Sequence, residues 1–190
     1  MSAEPPYVPA MPPTGLMTAE ELLQISIPDK RVELVRGRLV VREPPGFRHG
    51  RVTMELASRL QAHLKATDAA QVLVTESGFA LARNPDTVRG PDLAVVSRDR
   101  IPSPEPRGFA EFPADLVVEI LSPGNRPGET LAKVADWISG GARLVWVIDL
   151  ERRLARVYRH DGTEQIVSPE EVLSGEDVVP GFSCPLSALL

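Results

Sequence analysis

The chain has 190 residues, 43% of them hydrophobic and 25% charged, the balance of an ordinary soluble globular protein with enough length for one well-buried core. Its 21 basic and 26 acidic residues leave a net charge of -5, which argues against an all-over basic nucleic-acid binder but leaves room for a local basic strip. A single cysteine, Cys184, excludes an intrachain disulfide or a thiolate metal cluster and reads as a small buried residue. With no apolar run of about 18 residues and no basic-then-apolar leader pattern, a cytoplasmic protein without a membrane span is expected.

Residues 1–16 carry Pro5, Pro6, Pro9, Pro12 and Pro13, which lack amide donors, and are expected to be a flexible tail ahead of one domain over 17–190. Thr18-Ala-Glu-Glu21 forms a capping box, so a helix starts there and carries Leu22, Leu23 and Ile25 until Pro28 ends it. Arg31 to Val35 and Leu39 to Arg42 flank Arg36-Gly37 as a hairpin. Within it, Glu33 points away from Val32 and Leu34, and on spacing alone it is a solvent-exposed position.

Val52, Leu56, Ala57, Leu60 and Leu64 form one stripe of an amphipathic helix over Phe47 to Lys65, with Arg48, Arg51, Glu55, Arg59 and Lys65 on the polar face. That face reads as solvated, with tracking of a phosphate backbone as the alternative. His49, near the helix start, reads as a cap or surface residue. Two strands, Gln71–Thr75 and Gly78–Ala82, precede a loop at Arg83-Asn-Pro-Asp86, and a linker from Ser97 to Pro113 has room for a surface excursion or a short helix.

The candidate chemistry lies between Arg89 and Lys133. Asp92 opens the apolar run Leu93-Ala-Val-Val96 and Glu119 sits late in the run Leu116 to Leu121, both reading as buried strands. If these are antiparallel neighbours, the two carboxylates meet at one end of the sheet, where a divalent cation would compensate their desolvated charge. Asp115 shares Glu119's face, but four residues of strand separate them by roughly 13 Å. It is therefore a strand-entry residue.

A helix from Gly128 to Ile138, closed by Gly140-Gly141, has Leu131, Val134, Ala135 and Ile138 as its expected buried stripe. Lys133 lies off that stripe, where a helical salt pair with Glu129 or Asp136 is the plain alternative to a role in a site. The strand Ala142–Asp149 follows a helical crossover, so it should run parallel to the Glu119 strand. Leu154–Tyr158 forms another strand, and the rest reads as short capping elements. No nucleotide-binding glycine loop, Gly-x-Ser-x-Gly elbow or paired zinc histidines occur, since His49, His63 and His160 are scattered. Asp92 and Glu119, with the Ile120 carbonyl and water, make an all-oxygen set suited to Mg2+.

The segments Glu33-Leu-Val-Arg-Gly-Arg-Leu-Val40, His49-Gly50, Thr75-Glu-Ser-Gly-Phe79, Val88-Arg-Gly-Pro-Asp92-Leu-Ala-Val-Val96, Asp115-Leu-Val-Val-Glu119-Ile-Leu-Ser-Pro123, Lys133-Val-Ala-Asp-Trp137 and Val145-Trp-Val-Ile-Asp149 resemble, in order, the Uma2 family. That family, also called DUF820, is assigned to the PD-(D/E)XK restriction-endonuclease-like superfamily. The resemblance implies an α/β fold, a mixed central sheet flanked by helices with an N-terminal helix and hairpin. It also implies a Mg2+- or Mn2+-dependent endonuclease acting on DNA, working as a homodimer. Pro91-Asp92 stands as the PD element, Asp92 and Glu119 as metal ligands, and Glu33 and His49 as auxiliary positions. The superfamily lysine two places after the acid is absent, Leu121 standing there, and the resemblance moves its role to Lys133. Two other functions remain compatible with the residues: a catalytically weak nuclease-like module that binds nucleic acid or protein, and a hydrolase of small phosphate esters.

Overall fold

The computed structural model describes residues 15–65, 67–74 and 77–190. Most of the expected N-terminal tail lies outside these. The capping box forms as expected: the Thr18 hydroxyl accepts from the Glu21 amide and the Glu21 carboxylate accepts from the Thr18 amide. The helix behind it, α1 (Ala19–Leu22), nevertheless stops after one turn, well short of Pro28. Three-residue bonds from the Gln24 and Ile25 amides to Glu21 and Leu22 tighten and close it. Leu23 is left 47% exposed.

The hairpin of β1 (Arg31–Val35) and β2 (Arg38–Arg42) turns through Arg36 and Gly37, both with positive φ (49° and 74°), the mirror-image turn that matches strand twist. After α2 (Phe47–Leu64) come β3 (Ala70–Val74), β4 (Phe79–Ala82), a short β5 (Thr87–Arg89) that the sequence pattern did not reveal, and β6 (Leu93–Ser97). The linker holds a single 3-10 turn at Arg98–Arg100 and a bridge from Ala110 to Phe79 before β7 (Leu116–Ile120). Then follow α3 (Pro127–Ser139), β8 (Leu144–Asp149), β9 (Leu154–Arg159), β10 (Glu164–Val167), β11 (Val172–Ser174) and β12 (Ser183–Pro185).

These strands form a six-stranded sheet in the order β10-β9-β8-β7-β6-β3, a four-stranded sheet β2-β1-β5-β4, and a ribbon of β11 and β12. In the large sheet β7 and β8 are parallel, joined by α3 as the crossover rule requires, and β6 and β7 are antiparallel. The alternation of β7 divides the core. Leu116, Val118 and Ile120 pack with α2 and the C-terminal segment, while Val117 faces the layer that holds Val134 and Trp137 of α3. The C-terminal residues do more than cap: Leu173, Val179, Cys184, Leu186 and Leu189 are completely buried in the α2-side core. The chain passes from the small sheet to the large one at Gly90-Pro91, between β5 and β6.

The buried face of α3 differs from the expected stripe. Leu131 is 53% exposed and Ala135 is also exposed, whereas Val134 and Trp137 are buried. Trp137 dictates this rotation, because its indole packs edge-on against Phe79 at 5.7 Å between ring centroids. Lys133, one turn before Trp137, is thereby carried onto the inward side.

Candidate active site

Strand register builds the site. Leu93 pairs with Val118, which sets Asp92 beside Glu119 and Ile120, and the Ile120 amide donates to Asp92 Oδ2 at 2.8 Å. Glu119 shares Val117's side of the sheet, the side covered by α3. Pairing of Leu34 with Val88 brings β1 alongside β5, so Glu33 reaches the Gly90 amide at 3.1 Å. Asp115, by contrast, lies at the other end of β7, where it accepts from the Ser97 amide at 2.8 Å and pairs with Arg100 at 3.1 Å. It is the strand-entry residue expected.

The Lys133 ammonium is the hub. It lies 2.9 Å from Glu119 Oε2, 3.0 Å from Glu33 Oε1 and 2.9 Å from the Gly90 carbonyl. Neither helical partner expected for it is used: Asp136 binds Arg89 and Glu129 binds Arg42. Glu119 Oε1 accepts from the Trp137 indole N–H at 2.8 Å. Arg89, buried, reaches Glu33 Oε2 at 2.9 Å and Asp136 Oδ2 at 2.6 Å.

Asp92 Oδ2 also faces His49 Nε2 at 3.0 Å, so that nitrogen carries the proton, and both terminal nitrogens of Arg31 lie 3.2 Å from Asp92 Oδ1. His49 is therefore a buried partner of Asp92 rather than a cap or surface residue. Glu33 is likewise buried, 6% exposed, with Lys133 of α3 and Arg89 of β5 against its carboxylate.

Burial acts against every charge in this group. For Glu119 it wins: desolvation, reinforced by repulsion from Asp92 and Glu33, pushes the carboxyl up to about 7 despite Lys133. For Asp92 burial is outweighed by the His49 hydrogen bond and charge, by Lys133 and by the Ile120 amide, which hold it below the usual carboxylate range. Glu33 is also held low, since Lys133 and Arg89 overcome its desolvation. Lys133 is raised, because its three acidic neighbours outweigh burial.

The Uma2 family model, described as "Putative restriction endonuclease", matches residues 19–187. The chain belongs to the Uma2 family. A solved structure, titled as that of "a putative nuclease belonging to DUF820" from Anabaena variabilis ATCC 29413, is similar at a TM-score of 0.79 and 20% identity, covering 91% of this chain and 97% of that one. The two share the mixed α/β fold with its mixed central sheet. No curated protein matches the chain.

In this Uma2 chain the structure brings together Asp92, Glu119, Lys133, Glu33 and His49. It adds Arg31, Arg89, Asp136 and Trp137, which sequence reasoning passed over. Two of these were within reach of spacing: Arg31 lies two residues before Glu33 on the same strand face, and Trp137 one helical turn after Lys133. Arg89 and Asp136 carried no comparable signal. The neighbouring charge of Asp92 leads to a direct expectation. In Asp92→Asn, the Glu119 titration followed by carbon-13 NMR of its carboxyl should fall below about 7. An unchanged or higher midpoint would contradict the coupling.

Among the described residues, no three or more His, Cys, Asp or Glu side chains are gathered as a ready-made ligand set. Protein cations stand between the acids instead: Lys133 joins Glu33 and Glu119, and Arg31 covers Asp92. Among the described residues no helix is long and apolar enough to cross a membrane.

Proposed function

We propose that this Uma2 protein is a divalent-metal-dependent nuclease that hydrolyses phosphodiester bonds in DNA, with Asp92 and Glu119 holding Mg2+ or Mn2+. The observation that carries the reading is the Lys133 ammonium placed between two buried acids, Glu33 and Glu119, with Asp92 beside them across the strand pair. The donor chemistry fits a hard cation, since these are carboxylate oxygens whose negative charges crowd in a desolvated corner. An ion of this kind polarises a phosphoryl oxygen and lowers the pKa of a bound water.

The protein's own groups have distinct tasks in this reading. The Ile120 amide and His49 hold Asp92 in one orientation, and the Trp137 indole does the same for Glu119. Lys133 orients the attacking water or stabilises the charge that develops on the phosphoryl group. Glu33, itself held by Arg89, keeps the ammonium in place. Helix α2 supplies a nucleic-acid surface through Arg48, Arg51 and Arg59, of which Arg48 pairs with Glu151 and Arg59 with Glu55, in a chain of net charge -5. Exposed apolar residues of the C-terminal half, Ile166 and Val172 at 52% and 45%, offer area for the homodimer, and a cytoplasmic setting accords with one unpaired cysteine.

The test is cleavage of single- and double-stranded DNA with Mg2+ or Mn2+ by the wild type, Asp92→Asn and Glu119→Gln. Each variant should lose a factor of about 100 or more. Equal cleavage by all three proteins would remove the assignment. A second reading, a nuclease-like module that binds nucleic acid or protein with little catalysis, is favoured by the protein donors already engaging both acids. Titration calorimetry separates the two, because only the nuclease takes up metal at Asp92 and Glu119.

A further inference from the structure

Arg31 has no assigned part in the scheme above. Its guanidinium meets Asp92 in an unusual way: both terminal nitrogens contact the single oxygen Oδ1, each at 3.2 Å. The paired fork that gives arginine and carboxylate their strongest contact would use one nitrogen per oxygen. Here Oδ2 is engaged by the Ile120 amide and His49, so the fork is not made. Arg31 also stands directly opposite Arg42 in the β1–β2 ladder, a like-charge pairing that favours the guanidinium turning toward an anion. Its side chain keeps 23% exposure, whereas Asp92 keeps 6%.

The two acids therefore each present one oxygen to a cation of the protein, Asp92 Oδ1 to Arg31 and Glu119 Oε2 to Lys133. We propose that Arg31 is an exchangeable counter-ion: it occupies the cation position at Asp92 in the unloaded protein, gives way to the divalent ion, and then binds the substrate phosphate at the site mouth. This rests on the metal-dependent reading and extends it to a residue that competes with the metal before serving the substrate. A long, partly exposed arginine in a weak contact can make that exchange, and its planar set of donors suits a phosphate once it is released.

The decisive measurement is Mn2+ affinity of the full chain, by titration calorimetry and by electron paramagnetic resonance of free Mn2+, for wild type, Arg31→Gln, Arg31→Lys and the control Arg156→Gln on β9. An opposite charge within about 4–6 Å shifts the equilibrium of the charge it faces by one to three powers of ten. Arg31→Gln should accordingly bind Mn2+ about tenfold or more tightly, Arg31→Lys should lie nearer the wild type, and Arg156→Gln should equal it. In cleavage assays at saturating metal, Arg31→Gln should raise KM for a DNA oligonucleotide. A Mn2+ affinity that is unchanged or weaker in Arg31→Gln, with wild-type binding present and lost in Asp92→Asn, overturns the proposal and leaves the metal site standing. Failure of every protein to bind Mn2+ overturns both. If Arg31→Gln does not fold, Mg2+ titration of the wild type decides, because the Arg31 side-chain N–H resonance should shift as the ion binds, and an unmoved resonance counts against exchange.

Discussion

Lys133→Met should cost about 3–5 kcal/mol of folding stability at pH 8, the range expected when one partner of a buried ion cluster is removed. On the proposed nuclease reading it should also lower metal-dependent cleavage by a factor of about 100 to 1,000. The stability loss has a pH signature. Lys133 is raised in the folded state, so its contribution is complete below its unfolded pKa and disappears only as pH rises through the folded value. Between pH 5 and 8 it is charged throughout, and the variation comes from the acids.

Glu119, pushed up to about 7 from a usual 4.5, takes up a proton on folding between those values. Its own contribution to stability therefore falls as pH rises through that window. Glu33 and Asp92 behave oppositely: held low, they contribute above their unfolded pKa and lose that contribution as pH falls through the folded value. At pH 5 Glu119 is already neutral, so Lys133 compensates less charge than at pH 8. Urea unfolding of wild type and Lys133→Met at the two pH values should show the smaller difference at pH 5. An equal penalty at both would mean that the lysine contributes by packing and not by charge.

Arg89→Met is the second large expected effect, again about 3–5 kcal/mol. Arg89 is 4% exposed and links Glu33 on β1 to Asp136 on α3, so its loss takes the guanidinium from Asp136 and leaves Glu33 with Lys133 and the Gly90 amide. Removing Asp136 as well relieves part of the penalty. The double variant Arg89→Met/Asp136→Asn should be less destabilised than the sum of the singles by about 1 kcal/mol or more, measured by the same unfolding method. Strict additivity would show that the bridge carries no coupling between the small sheet and α3.

Much of this architecture was readable before any coordinates. The 3.6-residue stripe of α2 and the unbroken apolar runs around Leu93 and Leu116 identify their elements because burial imposes its period on local sequence. The same runs made Asp92 and Glu119 conspicuous, since a carboxylate at the end of a buried strand needs compensation. The crossover rule then put β7 and β8 parallel.

What the sequence could not determine was what faced each charge. Glu33 and Lys133 looked solvated or paired along their own elements, because alternation and helical spacing describe one element at a time. Their partners lie on other elements: Lys133 of α3 meets Glu33 of β1 and Glu119 of β7. His49 meets Asp92 from the first turn of α2. Even the face of α3 was decided from outside, by the fit of Trp137 against Phe79. Local order follows from hydrophobic period along the chain, whereas the charge environment of a site is a sum over neighbours that only the packed sheets bring within a few ångströms.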